Sequence, residues 1–393
     1  VRLLHRWLLL GAIPLATSIA TVACEAVGRP DLITSPGPVG DGGSMLDAGW
    51  PEASLEDAGS STDASDASSA PVLVALTPNP AGDGTPSIGQ VIDARLKVLA
   101  AGARGVVMRR ALRDLDATAL AALAQEGAFY SKHEVSIALT LALVDRAEDT
   151  RPSELVGAPW DAPEVRDAVH QAIDGSIDAL GPSLSSLVLG RDVDVYLAAH
   201  PELRPGFEIF ALDALAHARA HPGASPDLRV GVGFSFVGAT LPDPSFEPLL
   251  EASDMAVLSY LPGLGEKEAG LTTGIAAHAD AMVASAGEKP ILLESFGYPS
   301  SSVVGGSPAK QALFLETFFG ALGPRRASFG FVNVEMLGDL GPVRCSERAA
   351  AQGEPPDGPY AAYICSLGLV TVSAEDKPAW TSFLQGAAAF ASP

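Results

Sequence analysis

From residue 71 onward the chain alternates short apolar runs with amphipathic stretches eight times over, and this repeat narrows the folds open to it more than any other feature. PVLVALTP (71–78), GVVMRRAL (105–112), VSIALTLALVD (135–145), SLVLGRD (186–192), DLRVGVGFSF (227–236), DMAVLSYLP (254–262), KPILLESFGYPS (289–300) and RRASFGFVNVEM (325–336) read as strands. A helical pattern follows each, at 87–102, 117–127, 163–180, 201–221, 245–253, 272–287, 307–322 and 377–391. Strands that are apolar on both faces need both faces covered, which is the condition of a parallel sheet wrapped by its crossover helices. Eight such units predict an α/β protein, a single (β/α)8 TIM barrel. An open doubly wound sheet is the competing arrangement, but no Gly-rich phosphate-binding turn follows the first strand.

The residues before this repeat have a different character. Residues 1–24 carry Arg2, His5 and Arg6, then an apolar run from Trp7 to Ala23, then Cys24, the layout of a signal peptide. The run is interrupted by Pro14 and is short for a stable membrane span of about 20 residues. Thr21-Val22-Ala23-Cys24 resembles the lipobox of bacterial lipoproteins, with Thr21 where Leu is usual; an ordinary secretory signal is the alternative. Residues 25–70 hold nine carboxylates against one base, Arg29, among Ser, Ala, Gly and Pro, a composition that predicts a disordered acidic linker. The barrel domain is then residues 71–393, and a linker after Cys24 suits a protein exported to the cell envelope and tethered to the membrane by a lipid. A formal charge of −22 excludes a basic nucleic-acid-binding surface, so no nucleic acid partner is expected. Cys345 and Cys365, the two cysteines beyond Cys24, are expected to pair in an oxidising compartment, with two separate buried thiols as the alternative.

In a (β/α)8 barrel, chemistry sits where the strands end. The strand count brings to that rim Arg109 or Arg110 from strand two, Asp145 from strand three with Trp160 in its loop, and Arg191, Asp192 and Asp194 from strand four. Strand six adds Tyr260, strand seven Glu294, Phe296 and Tyr298, and strand eight Asn333, Glu335 and Asp339. Only one of Arg109 and Arg110 can face the barrel axis, because successive strand residues point opposite ways. The set has no histidines at metal-ligand spacing and no nucleophilic Cys or G-x-S-x-G elbow, so neither a metal nor another cofactor is expected. Carboxylates with aromatic neighbours are the equipment of glycosidic-bond cleavage.

With WDAPEVRDAVHQAIDGSIDALG before strand four, GRDVDVYLAAHPE at its end, LLESFGYPSS on strand seven and CSLGLVTVSAEDKPAW near the C-terminus, residues 71–391 resemble the clan A retaining glycoside hydrolases, endo-galactanase-like and cellulase-like members in particular. The resemblance implies an enzyme acting on β-linked polysaccharide or oligosaccharide. Glu294 matches its nucleophile, Asp192 falls where the acid/base Glu stands, and Arg191 falls where an Asn contacts the sugar 2-hydroxyl. Arg110, Asp145, Trp160, Tyr260, Phe296 and Tyr298 would then line the sugar site. Two departures matter. Asp is one methylene shorter than Glu, setting the acid back by roughly 1 Å, and Arg191 beside Asp192 or Glu294 would hold either carboxylate ionised. The strand-eight Trp of the family is also replaced, by the sequence FGFVNVEML. These departures keep a second expectation open: a catalytically degenerate barrel that binds glycan without cleaving it.

Overall fold

The computed structural model describes residues 72–241, 246–265 and 274–391. Eight parallel strands, β1 (Leu73–Leu76), β2 (Gly105–Ala111), β3 (Ser136–Asp145), β4 (Leu184–Arg191), β5 (Arg229–Ser235), β6 (Ala256–Tyr260), β7 (Ile291–Phe296) and β8 (Phe329–Val334), each pair with their sequence neighbours. Leu73 to Leu76 also pair with Phe331 to Val334, so the last strand meets the first and the sheet closes into a barrel. The open sheet is therefore excluded. A two-residue strand, Glu148–Asp149, folds back antiparallel on the end of β3.

The helices begin where local chemistry satisfies their free N–H groups. Ser87 and Gln90 form a reciprocal capping box on helix Ile88–Ala100, and Asp116 accepts from the N–H of Ala119 at the start of Ala117–Lys132. Pro163 and Pro308 open two more helices, at the position where proline's missing N–H costs nothing.

Inside the barrel the period of two is visible in layers. Ala75, Val107, Ala138, Val188, Val257, Leu292 and Phe331 form one apolar layer. Gly105 completes it: a Cβ there would meet the Phe331 ring at 2.6 Å, so only glycine leaves room for the phenyl group. Two residues further along the same strands the inward positions become Thr77, Arg109, Thr140, Gly190, Ser259, Glu294 and Asn333. The apolar layer closes the barrel floor and this polar layer forms its upper end.

The structure differs from the expected pattern in three places. A short helix, Val193–Ala199, follows β4 directly, and another, Phe236–Thr240, follows β5 ahead of the expected helix, which runs over Glu247–Ala252. Two further helices, Pro342–Ala351 and Pro359–Ile364, stand between β8 and the final helix Pro378–Ala391. Most of Pro342–Ala351 is solvent-facing and polar, so it lacks the run of apolar residues by which the other helices stand out. Cys345 and Cys365 are joined by a disulfide that ties these two helices together. The expected signal segment 1–24 with Cys24, and the expected acidic linker 25–70, lie outside the described residues.

Candidate active site

Strand four ends in a sharp turn. Gly190 adopts φ +71°, where a Cβ would strike Val193, and Asp192 follows in the left-handed region at φ 47° and ψ 45°. Asp is one of the few non-glycine residues that tolerate this conformation. The turn sends Arg191 and Asp192 in different directions. Arg191 donates to Asp145 Oδ1 at 3.3 Å and to Ser295 Oγ at 3.4 Å, and its guanidinium lies 3.5 Å from Glu335 Oε2. Asp192 instead accepts from the Ser259 hydroxyl at Oδ1 and from Arg146 Nη1 at Oδ2, the latter at 3.3 Å. The expected contact of Arg191 with Asp192 or Glu294 is thus replaced by pairs with Asp145 and Glu335.

Glu294 sits at the axis on β7, 1 % exposed. Its Oε1 accepts from Thr140 Oγ1 at 2.8 Å and from Arg109 Nη2 at 3.3 Å. Arg109 and Thr140 are register partners on β2 and β3, so one pleat delivers both donors to the same oxygen. Asn333 donates to the Glu294 backbone carbonyl at 2.7 Å and to Thr77 Oγ1 at 3.0 Å, tying β7 to β8 and β1 in the space where a bulkier strand-eight side chain would project. Burial pushes the Glu294 carboxyl above its ordinary range, against the pull of the Arg109 and Arg191 guanidiniums and the Thr140 hydroxyl.

Glu335, just past β8, behaves oppositely. Burial again resists its ionisation, but Arg191, Arg109 and Arg348 outweigh it and hold the carboxyl far below the usual range. Arg348 reaches it at 2.8 Å from the helix Pro342–Ala351, and Arg109 spans both oxygens at 3.4 Å. Asp145 is likewise held low: burial opposes ionisation, and Arg191, Arg109 and Arg348 prevail. The mouth is therefore a charge-balanced network in which Glu294, Glu335, Asp145 and Asp192 face Arg109, Arg146, Arg191 and Arg348. Buried charges tolerate such a site only because each has an opposite partner.

Several expected site residues are placed elsewhere. Arg110 points outward, pairing with Glu126 at 2.8 Å, and Arg109 takes the interior position. Trp160 is buried against Phe207 and Phe210 with the Arg151 guanidinium 3.9 Å over its ring, so it anchors the β3 loop. Phe296 stacks on Phe318 at 4.5 Å, and Tyr298 stacks on Phe314 at 5.3 Å. Neither leaves a ring face for a sugar, because the helix Pro308–Leu322 covers both. Tyr260 is also covered by Phe318, and its hydroxyl meets His278 Nδ1 at 2.6 Å. Asp194, expected on the strand-four rim, accepts from the Ser235 N–H at 2.7 Å and hydroxyl at 2.6 Å, fastening the end of β5. Burial, followed by the nearby Asp192 charge, raises its pKa despite those bonds. Among the described residues, no group of three or more His, Cys, Asp or Glu is placed to hold a metal ion.

Arg348 and Ser259 were not singled out by sequence. Ser259 lies on the face of strand six opposite the candidate Tyr260, toward the axis; Arg348 lies in a polar helix 13 residues past Glu335.

No family model matches the chain, and no curated protein matches it. Solved structures do. The GH5_18 protein from Bifidobacterium longum subsp. longum is 16% identical, with 81% of this chain and 79% of that one covered at a TM-score of 0.60. The GH5_18 protein from Streptomyces cattleya, in complex with GlcNAc, is 16% identical over 82% of this chain and 81% of its own, at 0.61. Fungal β-1,4-galactanases are 12% identical over 80% of this chain and 100% of theirs, at 0.57. At these identities the likeness is one of fold: the chain is a closed (β/α)8 barrel.

Proposed function

We propose that this barrel acts on β-linked oligo- or polysaccharide, with Glu294 as nucleophile and Asp192 in the acid/base place. The observation that carries the reading is Glu294 itself. It ends strand seven at the barrel mouth, and Thr140 and Arg109 fix its Oε1. Its Oε2 has no hydrogen-bond partner among the described residues. That oxygen would attack the anomeric carbon while the bond to the leaving oxygen breaks and Asp192 supplies the proton. Water, deprotonated by Asp192, would then release the sugar and restore both carboxyl groups. The fold neighbours, which include a GlcNAc complex and β-1,4-galactanases, support a β-linked glycan as ligand.

One observation favours a second reading, binding without cleavage. Both Asp192 oxygens already accept a hydrogen bond, from Ser259 and Arg146, whereas a general acid must carry a proton on one of them. Activated 2-deoxy-2-fluoro β-glycosides of mannose, galactose and glucose distinguish the two. Turnover by Glu294 predicts a glycosyl adduct in the intact mass, mapped to Glu294 and absent from Glu294→Gln. Cleavage of galactan, mannan, glucan or xylan that persists in Glu294→Gln would remove Glu294 from the mechanism. Glycan binding by calorimetry, with neither adduct nor cleavage, selects the binding reading. We also propose export with lipid attachment at Cys24, for which lipid labelling in cells should disappear in Cys24→Ala.

A further inference from the structure

A cleft of about 710 Å³ opens beside Asp192, between the helix Val193–Ala199, the helix Phe236–Thr240 and the segment after β6. Its walls are Val195, Ala198, Phe236, Val237, Leu261 and Leu264. Ala198 and Val237 are exposed on its rim, Val237 at 57 %. Most polar groups of the cleft are already paired, with one another or with Asp192. Ser235 donates to Asp194, and the Tyr260 hydroxyl meets His278. Phe236 packs edge-on to Tyr260 at 5.2 Å, so these rings offer no stacking platform. A sugar ring here would leave hydroxyls unmatched, at the cost of desolvating them. An alkyl or aryl group would lose nothing and would bury apolar surface.

The cleft adjoins the candidate reaction centre, since Ser259 and Arg146 line it and are the two groups that hold Asp192. In a two-carboxylate mechanism the acid faces the leaving oxygen, so the space on its far side receives the leaving group. Resting on the glycan reading above, we propose that this cleft is an aglycone site for an apolar group, and that among β-linked glycans the preferred ligands carry an alkyl or aryl alcohol at the reducing end. Arg146, at the Asp192 end, stands beside the glycosidic oxygen, and the chain or ring runs out toward Val237.

The test compares octyl and methyl β-glycosides of mannose, galactose and glucose with the β-1,4-linked disaccharides, by calorimetry on the full chain. The expected result is at least tenfold tighter binding of one octyl glycoside than of its methyl counterpart and of the disaccharide. Val237→Asp places a charge on the cleft wall and Ala198→Trp fills it; each should abolish the octyl advantage while leaving methyl glycoside binding within about twofold. Both positions are exposed, and circular dichroism confirms that each variant is folded. Equal binding of octyl and methyl glycosides, or tighter binding of the disaccharide, overturns the aglycone site and leaves the glycan reading standing. Octanol binding as tightly as every octyl glycoside overturns the glycan reading instead, and no binding of any probe overturns both.

Discussion

At Glu335 three guanidiniums converge on one buried carboxylate, and the energetic consequence is testable by removing only its charge. Glu335→Gln leaves Arg109, Arg191 and Arg348 short of a counter-charge, which should cost about 3 kcal/mol or more in urea unfolding at pH 7. Because arginine holds the folded pKa below the ordinary 4.5, the stabilisation is complete above that value and is lost as pH falls. The gap between wild type and variant should therefore close by about 1.4 kcal/mol per pH unit below that point. Glu294 has the opposite sign. Its folded pKa is raised, so its negative form, the proposed nucleophile, appears later on the way up from acid. The rate of fluoroglycoside labelling should rise with pH about a midpoint above 4.5, and a midpoint at or below it would contradict the burial argument. Asp192 shows why a simple repair is not free of cost: Glu in its left-handed conformation would be strained by about 1–2 kcal/mol. Asp192→Glu should raise turnover only if the gain in reach exceeds that strain, with Asp192→Asn as the charge-free control.

At the scale of elements, the site depends on a part of the chain remote from the barrel repeat. The helix Pro342–Ala351 carries both Arg348, which pairs with Glu335, and Cys345, which the disulfide binds to Cys365 across 20 residues. Closing a loop of that length stabilises the fold by roughly 3 kcal/mol in the entropic model. Cys345→Ser with Cys365→Ser should lower the unfolding free energy by up to that amount. It should also slow labelling at Glu294, because Arg348 would no longer be held against the network. A labelling rate unchanged at full loss of stability would show that Arg348 finds Glu335 without the disulfide. Within the barrel, β2 and β3 act as one unit, since their register sets Arg109 beside Thr140 and both on Glu294.

For the molecule as a whole, the barrel floor is the limiting constraint. Gly105 and Phe331 share one interior position, with β1 lying between their strands. Gly105→Ala overpacks that layer and should destabilise the protein by about 1–3 kcal/mol. Phe331→Leu in the same chain should recover part of the loss, whereas independent effects would simply add. Above the floor, four carboxylates and four arginines balance at the mouth, although the whole chain carries −22.

By itself the sequence determined the eightfold strand–helix repeat, for which a barrel was the favoured arrangement, and the strand ends that carry Asp145, Asp192, Glu294 and Glu335. These follow from local periodicity, which a chain carries wherever its parts end up. Tertiary structure alone decided that Arg109 rather than Arg110 faces the axis. In GVVMRRAL both faces of the strand are buried, so no polar alternation marks the inner one. It alone decided that Arg191 serves Asp145 and Glu335, and that Arg348 completes the network. Partners such as Arg109 and Glu335, 226 residues apart, meet only once the barrel has closed. It also decided the fate of the aromatics. Tyr260, Phe296 and Tyr298 stand at strand ends as a sugar site would require, but the helix Pro308–Leu322 lies over them and turns them into core. Whether a ring is a platform or packing depends on what covers it, and that is a property of the folded surface.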